Sequence, residues 1–160
     1  STPAGFATRA DHRSTFLFMR TMPGQVVACP HCGTKNRIPI GGRGKPRCAQ
    51  CHRDLPWLVN AADADFASAV QTPRLVLVDL WAPWCGPCRM VAPVLERLST
   101  ELASSLKVVK VNVDDNPQIA TRYQATSIPM LLLMRDGEVV ETIMGAQPYP
   151  ALKAAVDRHL

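Results

Sequence analysis

The six cysteines of this 160-residue chain are the residues best suited to chemistry, because all of them lie in C-x-x-C pairs. Two thiols at this spacing either bind a metal ion together or close a small redox-active disulfide. No cysteine is left over from the pairs, which are Cys29/Cys32, Cys48/Cys51 and Cys85/Cys88. The sequence around the third pair differs from that around the first two, which points to different chemistry for the two kinds of pair.

The third pair lies where a predicted strand meets a predicted helix. Leu75–Val78 is a continuous apolar run, typical of a strand buried on both faces, and apolar residues recur at helical spacing from Met90 to Leu98. Cys85 would then start the helix, where unpaired N–H groups and the helix dipole stabilise a thiolate by up to ~2 kcal/mol. Lowering a cysteine pKa from ~8.5 to ~7 needs about that much. We expect Cys85 to be exposed and Cys88 to be sheltered; half of a zinc site is the alternative.

The sequence around this pair resembles the active site of the thioredoxin family. Trp-Cys-Gly-Pro-Cys follows Val-Asp-Leu-Trp-Ala, and the likeness extends from about Leu55 to Leu160. Five marks at fixed offsets carry it, namely Asp79, Trp84, Pro93, Lys110 and Ile128-Pro129. The resemblance implies an α/β thioredoxin fold, with a mixed central sheet covered by helices. It also implies a thiol–disulfide oxidoreductase, more specifically a protein-disulfide reductase.

The resemblance implies roles for four residues. Cys85 is the nucleophile, Cys88 the resolving thiol, Asp79 the buried acid that accepts its proton, and Lys110 the neighbour of that acid. Independently of the family, a carboxylate inside an apolar strand is desolvated, which should raise its pKa. Lys107 and Lys110 stand at odd spacing on one strand, so one can face inward while the other meets water. A solvated Lys110 is the alternative.

The resemblance also implies a substrate-binding surface. In the family, the proline that corresponds to Pro129 follows a cis peptide bond and stands across from the cysteines, where the backbone can pair with an extended peptide. Met130 follows where the family often has Thr, and we assign Trp81 to the core. The expected surface residues are Trp84, Gly86, Pro87, Ile128, Pro129, Gly145 and Ala146.

The first two pairs predict a zinc site. Cys29/Cys32 and Cys48/Cys51 form a C-x2-C-x15-C-x2-C pattern, in which two tight turns direct four sulfurs at one point. The segment has too few large apolar residues for a core, and units below ~40 residues usually need a metal or disulfides. Two local disulfides or free thiols are the alternative. His31 and His52 flank the sulfurs, and we interpret them as bystanders because four thiols complete a zinc shell.

Charge divides the chain in the same way as the motifs. Residues 1–53 hold nine basic residues and one acidic residue, whereas residues 54–160 hold nine basic and twelve acidic residues. We predict a disordered tail over 1–25, a zinc unit over 26–53 and a thioredoxin domain over 54–160. The glycine-rich basic loop 41–47 is interpreted as solvated; contact with nucleic acid or an acidic partner is the alternative. The combination of units resembles the bacterial thioredoxin 2 family, in which zinc is thought to tune redox behaviour.

The apolar patterns of residues 54–160 predict strands and helices in the order β-α-β-α-β-α-β-β-α. Asn60 or Asp63 is the candidate cap of the first helix, and Asn116 that of the third. The predicted strands are Leu55–Val59, Leu75–Trp81, Leu106–Val113, Met130–Met134 and Glu138–Met144. The predicted helices are Asp63–Val70, Cys85–Leu102, Pro117–Tyr123 and Pro148–His159.

Composition and the family resemblance predict where the protein is located and what it binds. No apolar run approaches the ~18 residues of a membrane span, and no signal-peptide core is evident, so we expect a cytoplasmic monomer without membrane contact. The expected partners are an NADPH-dependent thioredoxin reductase and oxidised protein substrates; nucleic acid is not expected. The competing functions are a zinc-ribbon binding module on a thioredoxin-fold carrier and a disulfide isomerase or folding factor.

Overall fold

The computed structural model describes residues 24–160, and most of the predicted tail lies outside this range. The strands are β1 (Gly24–Ala28), β2 (Lys35–Pro39), β3 (Trp57–Asn60), β4 (Leu75–Trp81), β5 (Leu106–Asn112), β6 (Met130–Arg135) and β7 (Glu138–Met144). The helices are α1 (Phe66–Val70), α2 (Gly86–Glu101), α3 (Pro117–Arg122) and α4 (Tyr149–Asp157). From residue 54 onward this is the predicted order of elements.

A five-stranded mixed sheet positions the catalytic cysteines. Its order is β3-β5-β4-β6-β7, with β3, β5 and β4 parallel and the last two strands antiparallel. β4 lies at the centre, and its first six residues are buried on both faces, as the continuous apolar run predicted. The mixed sheet with flanking helices is the predicted thioredoxin fold.

The first helix is shorter than predicted, and neither Asn60 nor Asp63 caps it. The helix starts at Phe66 instead of Asp63, with Asp65 at the N-cap. The Asp63 carboxylate instead accepts hydrogen bonds from the backbone N–H groups of Gln118 and Ile119 at 3.1 and 2.9 Å. It therefore satisfies the free donors at the start of α3, a task that sequence position had assigned to Asn116.

The N-terminal cysteine segment contains a small hairpin that the sequence did not predict. β1 and β2 pair antiparallel, from Gly24 opposite Pro39 to Ala28 opposite Lys35. Only Asn36 and Ile38 of β2 are buried, so the strand offers one large apolar side chain to a core. A hairpin this small is not stable alone and needs further packing.

That packing comes from the edge of the main sheet. Ile38 and Ile40 belong to the same buried cluster as Leu55 and Trp57, so one core runs through both parts of the chain. The Trp57 indole N–H donates to the Pro39 carbonyl at 2.9 Å. No helix of the described residues is long and apolar enough to cross a membrane.

Gly41 tests how closely the N-terminal segment packs against α1. A Cβ at Gly41 would lie 2.5 Å from Ser68 Oγ and 2.9 Å from the Ser68 carbonyl oxygen, whereas a Cβ at Gly44 would meet nothing within 4 Å. We expect Gly41→Ala to lower the free energy of unfolding by about 1–3 kcal/mol, because backbone must move. Gly44→Ala is the control and should be neutral or slightly stabilising. Urea unfolding measures both, and equal midpoints would contradict the observed contact.

Candidate active site and metal centre

Cys85 occupies the junction between β4 and α2. It is the N-cap of α2, and its sulfur accepts a hydrogen bond from the Cys88 backbone N–H at 3.2 Å. Pro87 lies in the first turn, where its missing N–H costs nothing. The two sulfurs are joined in a disulfide, with the Cα atoms 5.3 Å apart. The third C-x-x-C pair is thus a disulfide at a helix start and not half of a metal site.

The prediction that Cys85 is exposed is wrong for this disulfide state. Both Cys85 and Cys88 expose only 4% of their surface. Ala82 and Ile128 pack around them, and the Cys85 sulfur lies 3.8 Å from the Ile128 carbonyl oxygen. The covering residue comes from a segment 43 positions away, so local sequence could not reveal it.

The expected substrate surface does lie around the buried sulfurs. Trp84 is 67% exposed, and Gly86 and Pro87 beside it are also exposed. The Ile128–Pro129 peptide bond is cis, as the resemblance implied. The Pro129 carbonyl accepts from the Gly145 N–H at 2.9 Å, while Ala146 is exposed. The N–H of Gly145 is therefore committed within the protein, and Gly145 adopts a positive φ of 79°.

Sequence reasoning missed two contacts near this surface. The Trp84 indole N–H donates to the Asp114 carboxylate at 3.1 Å, and the Arg89 guanidinium donates to the Pro83 carbonyl at 2.8 Å. Asp114 was detectable in principle, because the carboxyl ends of the parallel strands β4 and β5 meet at one edge of the sheet. Trp81, assigned to the core, is only partly buried.

Asp79 is a buried carboxyl group without a hydrogen-bond partner among the described residues. It is 1% exposed, and neither carboxylate oxygen finds a donor. Burial raises its pKa to about 6, while the positive charge of Lys110 acts in the opposite direction. Lys110 is the directly paired residue on β5, so the acid and the lysine are neighbours as predicted.

The two lysines of β5 face different environments, in accordance with their odd spacing. Lys110 is partly exposed and lies 5.0 Å from the centre of the Trp81 ring. Lys107 is fully buried, and its ammonium group donates to the Ile40 and Ala69 carbonyls at 2.5 and 2.6 Å. Burial lowers the pKa of Lys107 to about 7, with repulsion from Arg74 as a further cause. Lys107 thus links the N-terminal segment, α1 and β5.

The other four cysteines form one cluster, with all four sulfur atoms within 4.8 Å of one another. The shortest separations join Cys29 to Cys51 at 3.6 Å and Cys32 to Cys48 at 3.5 Å. A tetrahedral metal with ~2.3 Å bonds to sulfur requires sulfur–sulfur edges of about 3.8 Å, so the residues fit a tetrathiolate ion. The cluster can hold a metal ion.

The two turns that carry these cysteines are alike in backbone geometry. The N–H of Gly33 donates to the Cys29 carbonyl, and the N–H of His52 donates to the Cys48 carbonyl, both at 2.9 Å. Gly33 and His52 both have positive φ, at 77° and 62°. His52 therefore serves as a turn residue, and neither it nor His31 belongs to the metal-binding group, which agrees with their interpretation as bystanders.

The pKa values of two cysteines in the cluster shift in opposite directions. The backbone N–H of Cys51 is the main cause that lowers the pKa of Cys48 to about 6. The backbone N–H of Arg53 acts to lower the pKa of Cys51, but burial and the neighbouring sulfurs raise it to about 11. The raised pKa keeps the Cys51 thiol protonated at neutral pH, and a bound divalent cation would stabilise it as the fourth thiolate.

Asn36 supports the cluster, a role that no sequence pattern indicated. Its side-chain N–H donates to the Cys48 sulfur at 3.5 Å, and its oxygen accepts from the Ala49 N–H at 2.9 Å. Such outer contacts orient metal ligands.

The fold and the cysteine pair at the start of α2 define a thiol–disulfide oxidoreductase. Comparison with known proteins agrees with this class. Residues 57–158 match the family model described as Thioredoxin. The chain therefore belongs to the thioredoxin family.

Curated relatives cover the same part of the chain. It is 52% identical to "Thioredoxin" of Bacillus subtilis over 103 residues, which are 64% of this chain and 98% of that protein. It is 48% identical to "Thioredoxin 1" of Synechococcus elongatus over 99 residues, 61% of this chain and 92% of that protein. With "Thioredoxin" of Porphyra purpurea it shares 50% identity over 61% of this chain and 92% of that protein.

The raised pKa of Asp79 predicts how stability depends on pH. Between about pH 4 and 6 the unfolded chain has released this proton while the folded chain retains it, so stability falls as pH rises through this window. Above pH 6 the penalty is constant, at roughly 3 kcal/mol. We expect Asp79→Asn to be more stable than the native chain at pH 8, by up to about that amount, and no more stable below about pH 4. Exposed Glu138→Gln is the control. Equal gains at both pH values would contradict the assignment.

Proposed function

We propose that the protein is a protein-disulfide reductase that cycles between the Cys85/Cys88 dithiol and disulfide. The observation that carries the proposal is the position of Cys85 at the N-cap of α2, within disulfide reach of Cys88. In the reduced protein, the Cys88 N–H and the helix dipole stabilise a Cys85 thiolate. This thiolate attacks one sulfur of a substrate disulfide, which forms a mixed disulfide and releases the other sulfur as a thiolate.

Cys88 completes the reaction. Its thiol passes a proton to Asp79, and the resulting thiolate attacks the Cys85 sulfur. The Cys85–substrate bond breaks, the Cys85–Cys88 disulfide forms, and the substrate leaves as a dithiol after proton uptake. Two electrons and two protons pass to the substrate. An acid with a pKa of about 6 is suited to accept and return a proton near neutral pH, and Lys110 favours its ionised form.

The exposed residues around the disulfide form the proposed docking surface for substrate. Trp84, Gly86, Pro87 and Ala146 are exposed, and the backbone around Ile128 and Pro129 passes close to Cys85. An extended peptide can pair with free backbone groups while its side chains contact the tryptophan. Gly145 offers no free N–H group to a peptide, because its own N–H is already bonded to the Pro129 carbonyl.

The proposed partners are oxidised proteins and an NADPH-dependent thioredoxin reductase, which regenerates the dithiol. The proposed setting is the cytoplasm, where reduced thiols are maintained, and the proposed state is a monomer.

We also propose that the four-cysteine cluster binds one zinc ion, as in the thioredoxin 2 family. Four thiolates suit zinc better than magnesium or calcium, which prefer oxygen ligands. Zinc would hold the small β1–β2 hairpin together. Oxidation of the ligands would release the metal. Release would also alter the redox activity, because Cys29 and Cys48 share one buried core with Val78 and Leu80 of β4, the strand that leads to Cys85.

Cysteine variants test the catalytic proposal. We expect Cys85→Ser and Cys88→Ser each to abolish insulin reduction in the presence of NADPH and thioredoxin reductase. Cys88→Ser should also accumulate a mixed disulfide with substrate, because the resolving thiol is absent. Cys29→Ser is the control and should still reduce insulin, at a rate altered by the loss of the metal but not abolished. Substantial turnover by Cys85→Ser would rule out the mechanism.

Metal analysis tests the zinc proposal. We expect one zinc per chain in the reduced protein, with Cys29→Ser losing the metal and unfolding at a lower temperature. Titration with peroxide should release zinc, and the reductase rate should change in step with the release. Zinc loss without a change in rate would limit the metal to a structural role, and a chain purified under reducing conditions without metal would contradict the site.

A further inference from the structure

A basic cavity lies beside the N-terminal hairpin, and none of the redox-site residues lines it. It has a volume of about 280 Å³, and its charged lining consists of Arg37, Lys45 and Arg47. We call it the junction cavity. Its wall includes the glycine-rich loop 41–47, and its apolar lining includes Leu55 and Trp57.

The positive charge around the junction cavity is barely compensated. Among the described residues, Asp54 is the one carboxylate that forms a salt bridge with a lining cation, at 3.3 Å from Arg47 Nε. Like charges concentrated in a concave surface with a low-dielectric wall focus the electrostatic potential there. An anion in the cavity would therefore be attracted by all three cations.

Two more basic side chains lie close to the Trp57 ring. The Lys107 ammonium lies 4.0 Å and the Arg74 guanidinium 5.1 Å from the ring centre. Both residues are buried, and Arg74 Nη2 has no hydrogen-bond partner among the described residues. The buried Arg74 guanidinium has no bonded carboxylate and adds to the potential felt in the cavity, because buried charge is poorly screened. Lys107, whose pKa is lowered to about 7, contributes only part of a charge at neutral pH.

The backbone N–H groups of the glycine-rich loop lack backbone acceptors in the described part of the chain. No backbone carbonyl of a described residue accepts a hydrogen bond from the N–H groups of residues 42–45. Gly42 has a φ of 116°, and a Cβ at Gly42 or Gly44 would meet nothing within 4 Å. Glycines in such a loop allow an anion to approach the main chain, as in other backbone anion sites.

We propose that the junction cavity is a binding site for a small phosphate-bearing ligand, held by Arg37, Lys45 and Arg47. Arginine pairs readily with phosphate oxygens through two parallel hydrogen bonds. The volume is below the ~300–1,000 Å³ of pockets that bind drug-sized molecules, which favours a compact ligand. Trp57 is fully buried, so it offers no exposed ring for base stacking, and this argues against RNA as the ligand.

Calorimetric titration of the full-length chain with pyrophosphate at low ionic strength tests the proposal. We expect saturable binding to one site. Arg37→Gln/Lys45→Gln should weaken the affinity at least about tenfold, because each lost cation removes a charge-assisted contact. The matched control is Lys35→Gln/Arg43→Gln, which removes the same charge from the same strand and loop but leaves the cavity lining intact. Its affinity should stay within about twofold of that of the native chain.

Two further titrations identify the source of the phosphate. ATP that binds no tighter than pyrophosphate would support recognition of phosphate alone, and tighter binding of ATP would support a nucleotide as the ligand. Binding of single-stranded RNA that is tighter than pyrophosphate and grows with chain length would overturn the proposal in favour of a nucleic-acid surface.

The control variants distinguish a specific site from non-specific attraction by charge. Equal weakening in both double variants would show diffuse charge attraction and overturn the site, as would the absence of saturable binding. All variants should keep the native rate of insulin reduction, because none of the four substituted residues lies at the disulfide. An unchanged urea unfolding midpoint verifies that the variants are folded.

Discussion

The structure depends on the central position of β4. This strand carries the Asp79 carboxyl group and leads directly to the Cys85/Cys88 pair, so it fixes the position of one relative to the other. β4 is hydrogen-bonded on both sides, to β5 and β6, so Asp79 has no route to solvent. The strand then ends directly before α2, whose first turn contains both catalytic cysteines. The desolvation that raises the pKa of Asp79 and the helix start that accommodates Cys85 are consequences of one arrangement. The burial of Asp79 depends on this central position, since an edge strand would expose one side to solvent.

The order of the elements and the two cysteine chemistries were predictable from the sequence because they depend on local patterns. The apolar run of β4, the helical spacing after Cys85 and the spacing of the other cysteines are properties of contiguous residues. The proximity of Asp79 and Lys110 was accessible through the family resemblance, and the strand register bears it out.

What the sequence could not predict depends on contacts between distant segments. Cys85 is covered by Ile128, and Asp63 caps a helix more than fifty positions ahead. The β1–β2 hairpin escaped prediction because Ile38 is the one large apolar residue that β2 buries, and the rest of its core comes from the main sheet. Lys107 was foreseen only as one of two lysines on opposite faces, and its acceptors became apparent only from the fold.

The attachment of the N-terminal segment through Lys107 has a consequence for how this chain can diverge. Both acceptors are main-chain oxygens, of Ile40 and Ala69, and every residue type presents such an oxygen. Substitutions at those two positions therefore leave the hydrogen bonds from Lys107 intact, provided that the backbone conformation is unchanged. Of the two partners in this contact, only the donor must keep its chemical identity, whereas the apolar contacts of Ile38 and Ile40 with Trp57 still require matching side chains on both segments.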